Sequence, residues 1–265
     1  MAKASRARVR AARAADPEGR LLDRARAAPA PPPLALDRFD VIAELKLRSP
    51  SAGPLARHGL FPAAQIEAYA AGGAAAVSVL TEPEEFGGSL EHLAQAAAAL
   101  AARGRPAMRK DFLTDPYQVL EARAAGAGGV LIIVTMLSDA DVRELLAAAR
   151  ECGLFALLEA FDASDLERIA SLEIAESSSP PVLAGVNCRN LDTLDVDFAR
   201  FAALARHLPP GLPAVAESGI GNGDDARAVA EAGYRLALVG SALMRSADPG
   251  AAVADLVAAG RRAVG

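Results

Sequence analysis

The amino-acid sequence predicts an α/β fold, a single (β/α)8 TIM barrel with an N-terminal extension. The chain has 265 residues, and barrels of this class need about 250. Eight short β-type runs alternate with alanine-rich helical stretches. The first run starts at residue 41 and the last at residue 235, so each unit takes roughly 28 residues, which suits one βαβ step. Nearly continuous apolar runs indicate a parallel sheet covered by helices on both faces.

Eight units leave no unpaired sheet edge, so we expect the barrel to be closed. An open doubly wound sheet is the alternative, and it is disfavoured because no glycine-rich turn follows the first strand. The predicted strands are VIAELK (41–46), AAVSVLT (75–81), PAMRKDF (106–112), GVLIIVTML (129–137), LFALLEAF (154–161), VLAGVNCR (182–189), PAVAES (213–218) and RLALVG (235–240).

The stretches between strands are predicted as helices, because apolar residues recur at helical spacing and the runs stop at glycine. Ahead of the barrel domain, residues 41–265, lies a predicted extension of residues 1–40 that is partly helical or disordered. Its first 15 residues, MAKASRARVRAARAA, are arginine-rich and free of acidic residues and resemble a transit peptide, which is one alternative. Since few apolar residues there can be buried, residues 1–33 are expected to contribute little to stability or turnover.

Composition excludes several classes of protein. The formal net charge is −5, and the chain after its basic start is more acidic still, which argues against nucleic acid as a partner. No apolar run reaches the roughly 18 residues of a membrane-spanning helix. The two cysteines, Cys152 and Cys188, provide neither a disulfide framework nor a zinc-site spacing. We therefore expect a cytoplasmic protein without a membrane partner.

Charged and polar residues recur at the C-terminal ends of the predicted strands, where such barrels carry their reacting groups. A charge in an apolar strand is costly to bury unless it is paired. One such residue alone would be interpreted as a salt bridge at the rim, but five of the eight strands repeat the pattern, which indicates one site. The residues are Glu44, Lys46, Lys110, Glu159, Asn187, Arg189, Glu217 and Ser218.

The last two strands lead into glycine-containing turns, ESGIGNGDD and VGSALMR. A helix that starts near Asp224 or Ala242 would present the positive end of its dipole there, which favours a phosphate site over a plain turn. The histidines, His58, His92 and His207, fall in predicted loops or helices, and we expect no metal. Lysines and glutamates therefore remain for acid-base chemistry.

Six segments carry a family resemblance: ELKLRSPSAG (44–53), SVLTEPEEFGGS (78–89), RKDFLTDPYQVLEARAAGA (109–127), GVNCRNLDTLDVD (185–197), AESGI (216–220) and LVGSALMR (238–245). Together and in this order they resemble the indole-3-glycerol-phosphate synthase family. The resemblance implies closure of the indole ring of 1-(2-carboxyphenylamino)-1-deoxyribulose 5-phosphate, an anthranilate-derived sugar phosphate, with release of carbon dioxide and water. It also implies that no cofactor is needed. We expect a monomer or weak homodimer.

Carried over residue by residue, the resemblance implies a set of site residues. In the reaction an aryl carbon attacks a ketone, so a cation must protonate the carbonyl oxygen, and Lys110 is the candidate general acid. Dehydration is assigned to Glu159 with Lys46 and Glu44. The other implied catalytic residues are Glu217 and Asn187, and the implied substrate-binding residues are Arg189, Ser49, Ser218, Gly219, Gly240 and Ser241.

The chain departs from the family pattern in places. Residues 1–40 do not clearly match the family's N-terminal extension, and Gly128 stands where an aspartate is usual, a change expected to affect packing only. Three alternatives remain: phosphoribosylanthranilate isomerase, which has a cysteine base early in the barrel where this chain has none; a paralogue with a related substrate; and a sugar-phosphate-binding barrel without catalysis, which would not need both lysines and all three glutamates.

Overall fold

The structure is a computed structural model that describes residues 1–49, 53–54, 63–174, 179–189, 193 and 195–265. The barrel strands are β1 (Asp40–Leu45), β2 (Ala76–Leu80), β3 (Ala107–Lys110), β4 (Gly129–Ile133), β5 (Phe155–Ala160), β6 (Val182–Asn187), β7 (Ala214–Glu217) and β8 (Leu236–Val239). All are parallel, each pairs with its neighbours in sequence, and β8 pairs with β1 to close the barrel. The predicted (β/α)8 fold is confirmed.

Most strands are a few residues shorter than the sequence predicts, and the fourth strand differs most. Residues 129–137 are expected as one strand, but β4 ends at Ile133 and Val134–Met136 form a single 3-10 turn. The guanidinium of Arg168 donates hydrogen bonds to the carbonyl oxygens of Val134 (3.0 Å) and Leu137 (2.7 Å). The apolar run continues past the strand because Val134 of this turn and Leu137 after it are buried.

Helices cover the outside of the barrel, and several begin at a side chain that accepts hydrogen bonds from the first turn, such as Asp115 and Ser138. Their bounds are α1 (Ala2–Ala15), α2 (Glu18–Ala27), α3 (Ala63–Ala71), α4 (Pro83–Phe86), α5 (Leu90–Ala101), α6 (Pro116–Ala124), α7 (Asp139–Glu151), α8 (Ala163–Ser171), α9 (Ala199–Leu204), α10 (Gly223–Glu231), α11 (Ser241–Arg245) and α12 (Pro249–Ala263). None of the helices in the described ranges is both long and apolar enough to span a bilayer.

The N-terminal extension is folded against the barrel. Residues 1–40 were expected to be partly helical or disordered, and they contain the helices α1 and α2. Val9 of α1 and Leu21 of α2 are buried in one apolar cluster with Tyr117 of α6. Ser5 donates a hydrogen bond to the carbonyl oxygen of Phe112, in the turn after β3. Contrary to the sequence expectation, the extension therefore buries side chains on the barrel.

The barrel interior is apolar below its mouth. Ile42, Met108, Leu131 and Leu157 are among the buried residues that fill it. The charged side chains of Glu44, Lys110 and Glu217 lie above it, at the C-terminal ends of their strands.

The opposite face of the barrel accommodates Gly128. A Cβ atom at this position would lie 2.6 Å from Cβ of Pro106 and 3.2 Å from the carbonyl oxygen of Pro32. The proline-rich segment after α2 thus lies under β4. This close packing agrees with the expectation that the departure at Gly128 concerns packing.

Candidate active site

Lys110 lies between two buried carboxylates. Its Nζ atom is 3.0 Å from Oε2 of Glu159 and 3.5 Å from Oε2 of Glu217. β3 and β7 end at Lys110 and Glu217, and Glu159 is the second-last residue of β5. Because the parallel strands of a closed barrel end at one face, three strands that are distant in sequence deliver these groups to one point.

The surrounding charges decide which of these groups is ionised. Burial by itself would lower the pKa of Lys110, but Glu159, Glu217 and Glu44 outweigh it and hold that pKa well above its usual range. Burial, and then the charge of Glu159, raise the pKa of Glu217 to about 8. Lys110 is therefore a cation at neutral pH, and Glu217 is the carboxyl that most readily holds a proton.

A second ion pair comes from β1. Nζ of Lys46 lies 2.7 Å from Oε1 of Glu44. Burial would raise the pKa of Glu44, but the charges of Lys46, Lys110 and Arg189 outweigh it, so the pKa lies below its ordinary value. Glu44 is thus an ionised carboxylate at neutral pH.

Two glycines make room for the carboxylates. A Cβ atom at Gly240 would lie 2.4 Å from Oε1 of Glu44, and one at Gly185 would lie 2.1 Å from Oε1 of Glu217. A side chain at either position would force the carboxylate to move. Gly240 is predicted from sequence as part of a phosphate turn, whereas the role of Gly185 is missed, because a glycine inside an apolar strand gives no sign of which side chain faces it.

Asn187 links Glu159 to the loops after β6 and β7. Its Nδ2 donates to Oε1 of Glu159 (3.0 Å), and its Oδ1 accepts from the backbone N–H of Arg189 (3.0 Å) and from Oγ of Ser218 (2.9 Å). The sequence prediction that Asn187 and Arg189 belong to the same site as Glu44 agrees with the effect of the Arg189 charge on the pKa of Glu44.

The turns after β7 and β8 differ in the way their helices begin. Asn222 caps α10, accepting the backbone N–H groups of Asp224 and Asp225 through its side chain. The cap of α11 is Gly240, which has no side chain, and the helix begins at Ser241. Of the two helix starts considered from sequence, the one near Ala242 therefore keeps its first N–H groups clear of a side-chain cap.

The remaining predicted residues are placed as follows. Ser218 and Gly219 both have positive φ, 70° and 79°, in the turn after β7. Ser49 pairs through its backbone with Gly53, but its side chain lies outside the described part of the chain, as does all of His58. His92 and His207 are half-buried on the outer helical layer. In the described ranges, no three His, Cys, Asp or Glu side chains are grouped as a metal site would require.

Sequence reasoning missed a buried polar network beside Lys110. Asp111 accepts hydrogen bonds from Arg8 of α1 (2.7 Å), Arg109 (3.0 Å) and Thr81 Oγ1 (2.9 Å). The two charged residues that flank Lys110 in RKDF were the available signal. Their side chains alternate with that of Lys110 and therefore point away from the barrel interior.

Comparison with protein families and known proteins gives one consistent result. Residues 6–256 match the family model described as "Indole-3-glycerol phosphate synthase". The chain is similar to indole-3-glycerol phosphate synthases from Nocardioides sp. (50% identity, covering 80% of this chain and 78% of the relative) and from Rhizorhabdus wittichii (45% identity, 89% of each). The family match starts at residue 6, so the expectation that residues 1–40 do not clearly match the family's extension is wrong.

Solved structures with similar folds are more distant in sequence. They include thiamine phosphate pyrophosphorylase from Pyrococcus furiosus (TM-score 0.60, 17% identity, 86% of this chain and 98% of that chain) and 3-hexulose-6-phosphate synthase from Salmonella typhimurium (TM-score 0.66, 12% identity, 85% and 100%). At these identities the likeness concerns the barrel fold alone.

Proposed function

The chain belongs to the indole-3-glycerol phosphate synthase family, and from this premise we propose how its residues divide the work of the reaction. The enzyme is a carboxy-lyase of tryptophan biosynthesis, and it acts on a small sugar phosphate. The substrate is proposed to be 1-(2-carboxyphenylamino)-1-deoxyribulose 5-phosphate. The observation that carries the proposal is the position of Lys110 between Glu159 and Glu217 at the mouth of the barrel.

Lys110 is the general acid of ring closure. The aryl carbon that bears the carboxylate attacks the ketone carbon, and the ketone oxygen takes a proton from the ammonium group. The charges of Glu159 and Glu44, and that of Glu217 whenever it is ionised, keep Lys110 protonated, so the acid is loaded before substrate binds. The fixed positive charge also stabilises the developing alkoxide.

Loss of carbon dioxide restores the aromatic ring, and dehydration follows. The hydroxyl left by the first step departs as water after it accepts a proton, while a base removes a proton from the neighbouring carbon of the new ring. Glu159 and the pair Lys46–Glu44 divide these two transfers. Glu159 lies 3.0 Å from Nζ of Lys110, and Glu44 lies 2.7 Å from Nζ of Lys46. Both distances support exchange of a proton between the carboxylate and its lysine.

Substrate binding is proposed for the residues around this cluster. Arg189 holds the anthranilate carboxylate with its planar fork. The turns at Ser218–Gly219 and Gly240–Ser241 hold the phosphate through backbone N–H groups, for which the uncapped start of α11 is supporting geometry. Ser49 contributes from the loop after β1, and Asn187 and Glu217 orient the substrate hydroxyls and the lysine.

The setting of the reaction is proposed from composition and family. The enzyme works in the cytoplasm, without a cofactor, as a monomer or weak homodimer. Both cysteines are free thiols, which agrees with a reducing compartment.

Turnover of the carboxyphenylamino-deoxyribulose phosphate tests the proposal directly. The product contains an indole ring, and the chain contains no tryptophan, so the rise of indole fluorescence is measured against a low protein background. We expect turnover with one carbon dioxide released for each indole formed. A folded chain that produces neither would contradict the proposed substrate and leave the paralogue or the non-catalytic barrel.

A further inference from the structure

Ser218 has a backbone conformation that disfavours its side chain. Its φ is 70°, in the left-handed region, where a Cβ atom is strained and glycine is not. In the described part of the chain, Glu173 is the other residue besides glycines with a positive φ. The next residue in the turn, Gly219, has a similar φ and is a glycine. A serine where glycine would be unstrained indicates that its hydroxyl is used.

The hydroxyl of Ser218 fixes the orientation of Asn187. Oγ donates to Asn187 Oδ1 at 2.9 Å, and the same oxygen accepts the N–H of Arg189 at 3.0 Å. A carbonyl oxygen has two lone pairs, and both are occupied here. The amide can then present only its nitrogen to Glu159, which it meets at 3.0 Å.

These bonds form one chain that ends at the general acid. It runs from Ser218 through Asn187 to Oε1 of Glu159, while Oε2 of Glu159 accepts from Nζ of Lys110 at 3.0 Å. Whatever holds the Asn187 amide in place therefore also holds the carboxylate of Glu159 in its position beside Lys110.

We propose that the Ser218 hydroxyl is a positioning group for Glu159 and Lys110, acting through Asn187, and that the strained conformation of Ser218 serves to aim it. This inference rests on the proposed function of Glu159 and Lys110. It separates two roles within one turn, since the backbone N–H groups are proposed to hold the phosphate while the side chain serves the acid-base pair.

Two substitutions separate strain from function. Ser218→Gly removes the hydroxyl and relieves the backbone, whereas Ser218→Ala removes the hydroxyl and keeps the strain. We expect kcat to fall about fivefold in both, as for the loss of one net hydrogen bond, with KM changed much less. The melting temperature should rise or stay level in Ser218→Gly only. The pH profile of kcat should change in the same way in both variants.

Glu173→Gly is the matched control. Glu173 (φ 53°) is exposed and follows α8. Its replacement by glycine relieves the same kind of backbone strain away from the site. It should preserve kcat and the pH profile.

A double-mutant cycle decides whether Ser218 acts through Asn187. In the Asn187→Ala background, Ser218→Gly should have no further effect on kcat or on the pH profile. An equal loss in both backgrounds would overturn the inference, and so would a rise in KM with unchanged kcat, which would assign the hydroxyl to the phosphate. Unchanged kinetics of Ser218→Gly would overturn the positioning role alone. The proposed function is judged separately, by turnover of the unsubstituted enzyme.

Discussion

At the scale of single residues, the site depends on charges that neutralise one another in a buried space. Lys110 is flanked by two carboxylates whose side chains are 4% and 1% exposed. A buried ion is tolerated when its partner and its remaining hydrogen bonds are supplied, and here Asn187 supplies one of them. This arrangement needs space, which the lack of a side chain at Gly185 and at Gly240 provides.

Lys110→Met tests the general acid. Methionine retains most of the apolar length, but it removes the proton and the positive charge. We expect kcat to fall at least about 10²-fold, the lower range for loss of a positioned general acid, with KM changed much less. Below neutral pH the barrel should remain folded, because Glu217 can take up a proton when the ammonium group is absent.

The same substitution at an exposed lysine provides the control. Lys3→Met on α1 should leave turnover unchanged. Near-normal turnover by a folded Lys110→Met protein would contradict the assignment and transfer the acid role to Lys46.

At the scale of elements, α1 is attached to the catalytic end of the barrel by Arg8. The guanidinium group lies 2.7 Å from Asp111 and 3.4 Å from Glu82, two carboxylates that are 1% and 2% exposed. Asp111 follows Lys110 directly, and Glu82 caps α4 after β2. One side chain of the extension therefore bridges the loops after two neighbouring strands. Contrary to the expectation from sequence, deletion of residues 1–33 should lower stability.

Arg8→Gln and Arg13→Gln compare two anchors of α1. Arg8→Gln leaves two buried carboxylates short of a cation, and because Arg109 and Thr81 still contact Asp111 we expect a loss of about 2 kcal/mol, below the range for a fully broken buried pair. Arg13 contacts Asp115 on the surface, where both side chains are more exposed, so Arg13→Gln should cost about 0–1 kcal/mol.

Urea unfolding of both variants measures the difference. Equal midpoints and slopes for the two variants would show that the buried bridge contributes no more than the surface pair.

The elements also show where sequence reasoning succeeds. The eight strands were predictable because apolar runs of barrel strands are continuous, and the site was predictable because the charges that interrupt them occur at one end. The end of β4 was not, since Val134 and Leu137 around the 3-10 turn are buried and continue the apolar run. Nor was the Arg8–Asp111 pair, because two residues so far apart in sequence leave no periodic signal. The structure was also needed to show that a side chain caps the start of α10 but not the start of α11.

At the scale of the whole molecule, helices α1 and α2 of the extension pack against α6 of the barrel. The family match from residue 6 covers both the extension and the barrel. The division of the chain at residue 40 stays a prediction. The free energy of unfolding then depends on the groups that titrate at the mouth of the barrel, where several charged side chains are buried close together. Glu217 is the one whose pKa is raised into the physiological range.

Glu217 should make the folded enzyme less stable as the pH rises from about 5 to 8. Folding raises the pKa of this carboxyl to about 8, so the folded chain holds a proton that the unfolded chain has already released above its ordinary pKa near 4.3. The unfolded state therefore binds fewer protons in this window, and stability falls with pH by at most about 1.4 kcal/mol per unit. Glu217→Gln, which cannot titrate, should flatten this slope, whereas Glu144→Gln on the exposed face of α7 should keep it. Urea unfolding at pH 5, 6, 7 and 8 measures the difference between the variants. If the free energy of unfolding depends on pH in the same way for Glu217→Gln and the unsubstituted enzyme, Glu217 is ionised throughout. Lys110 then faces two full negative charges.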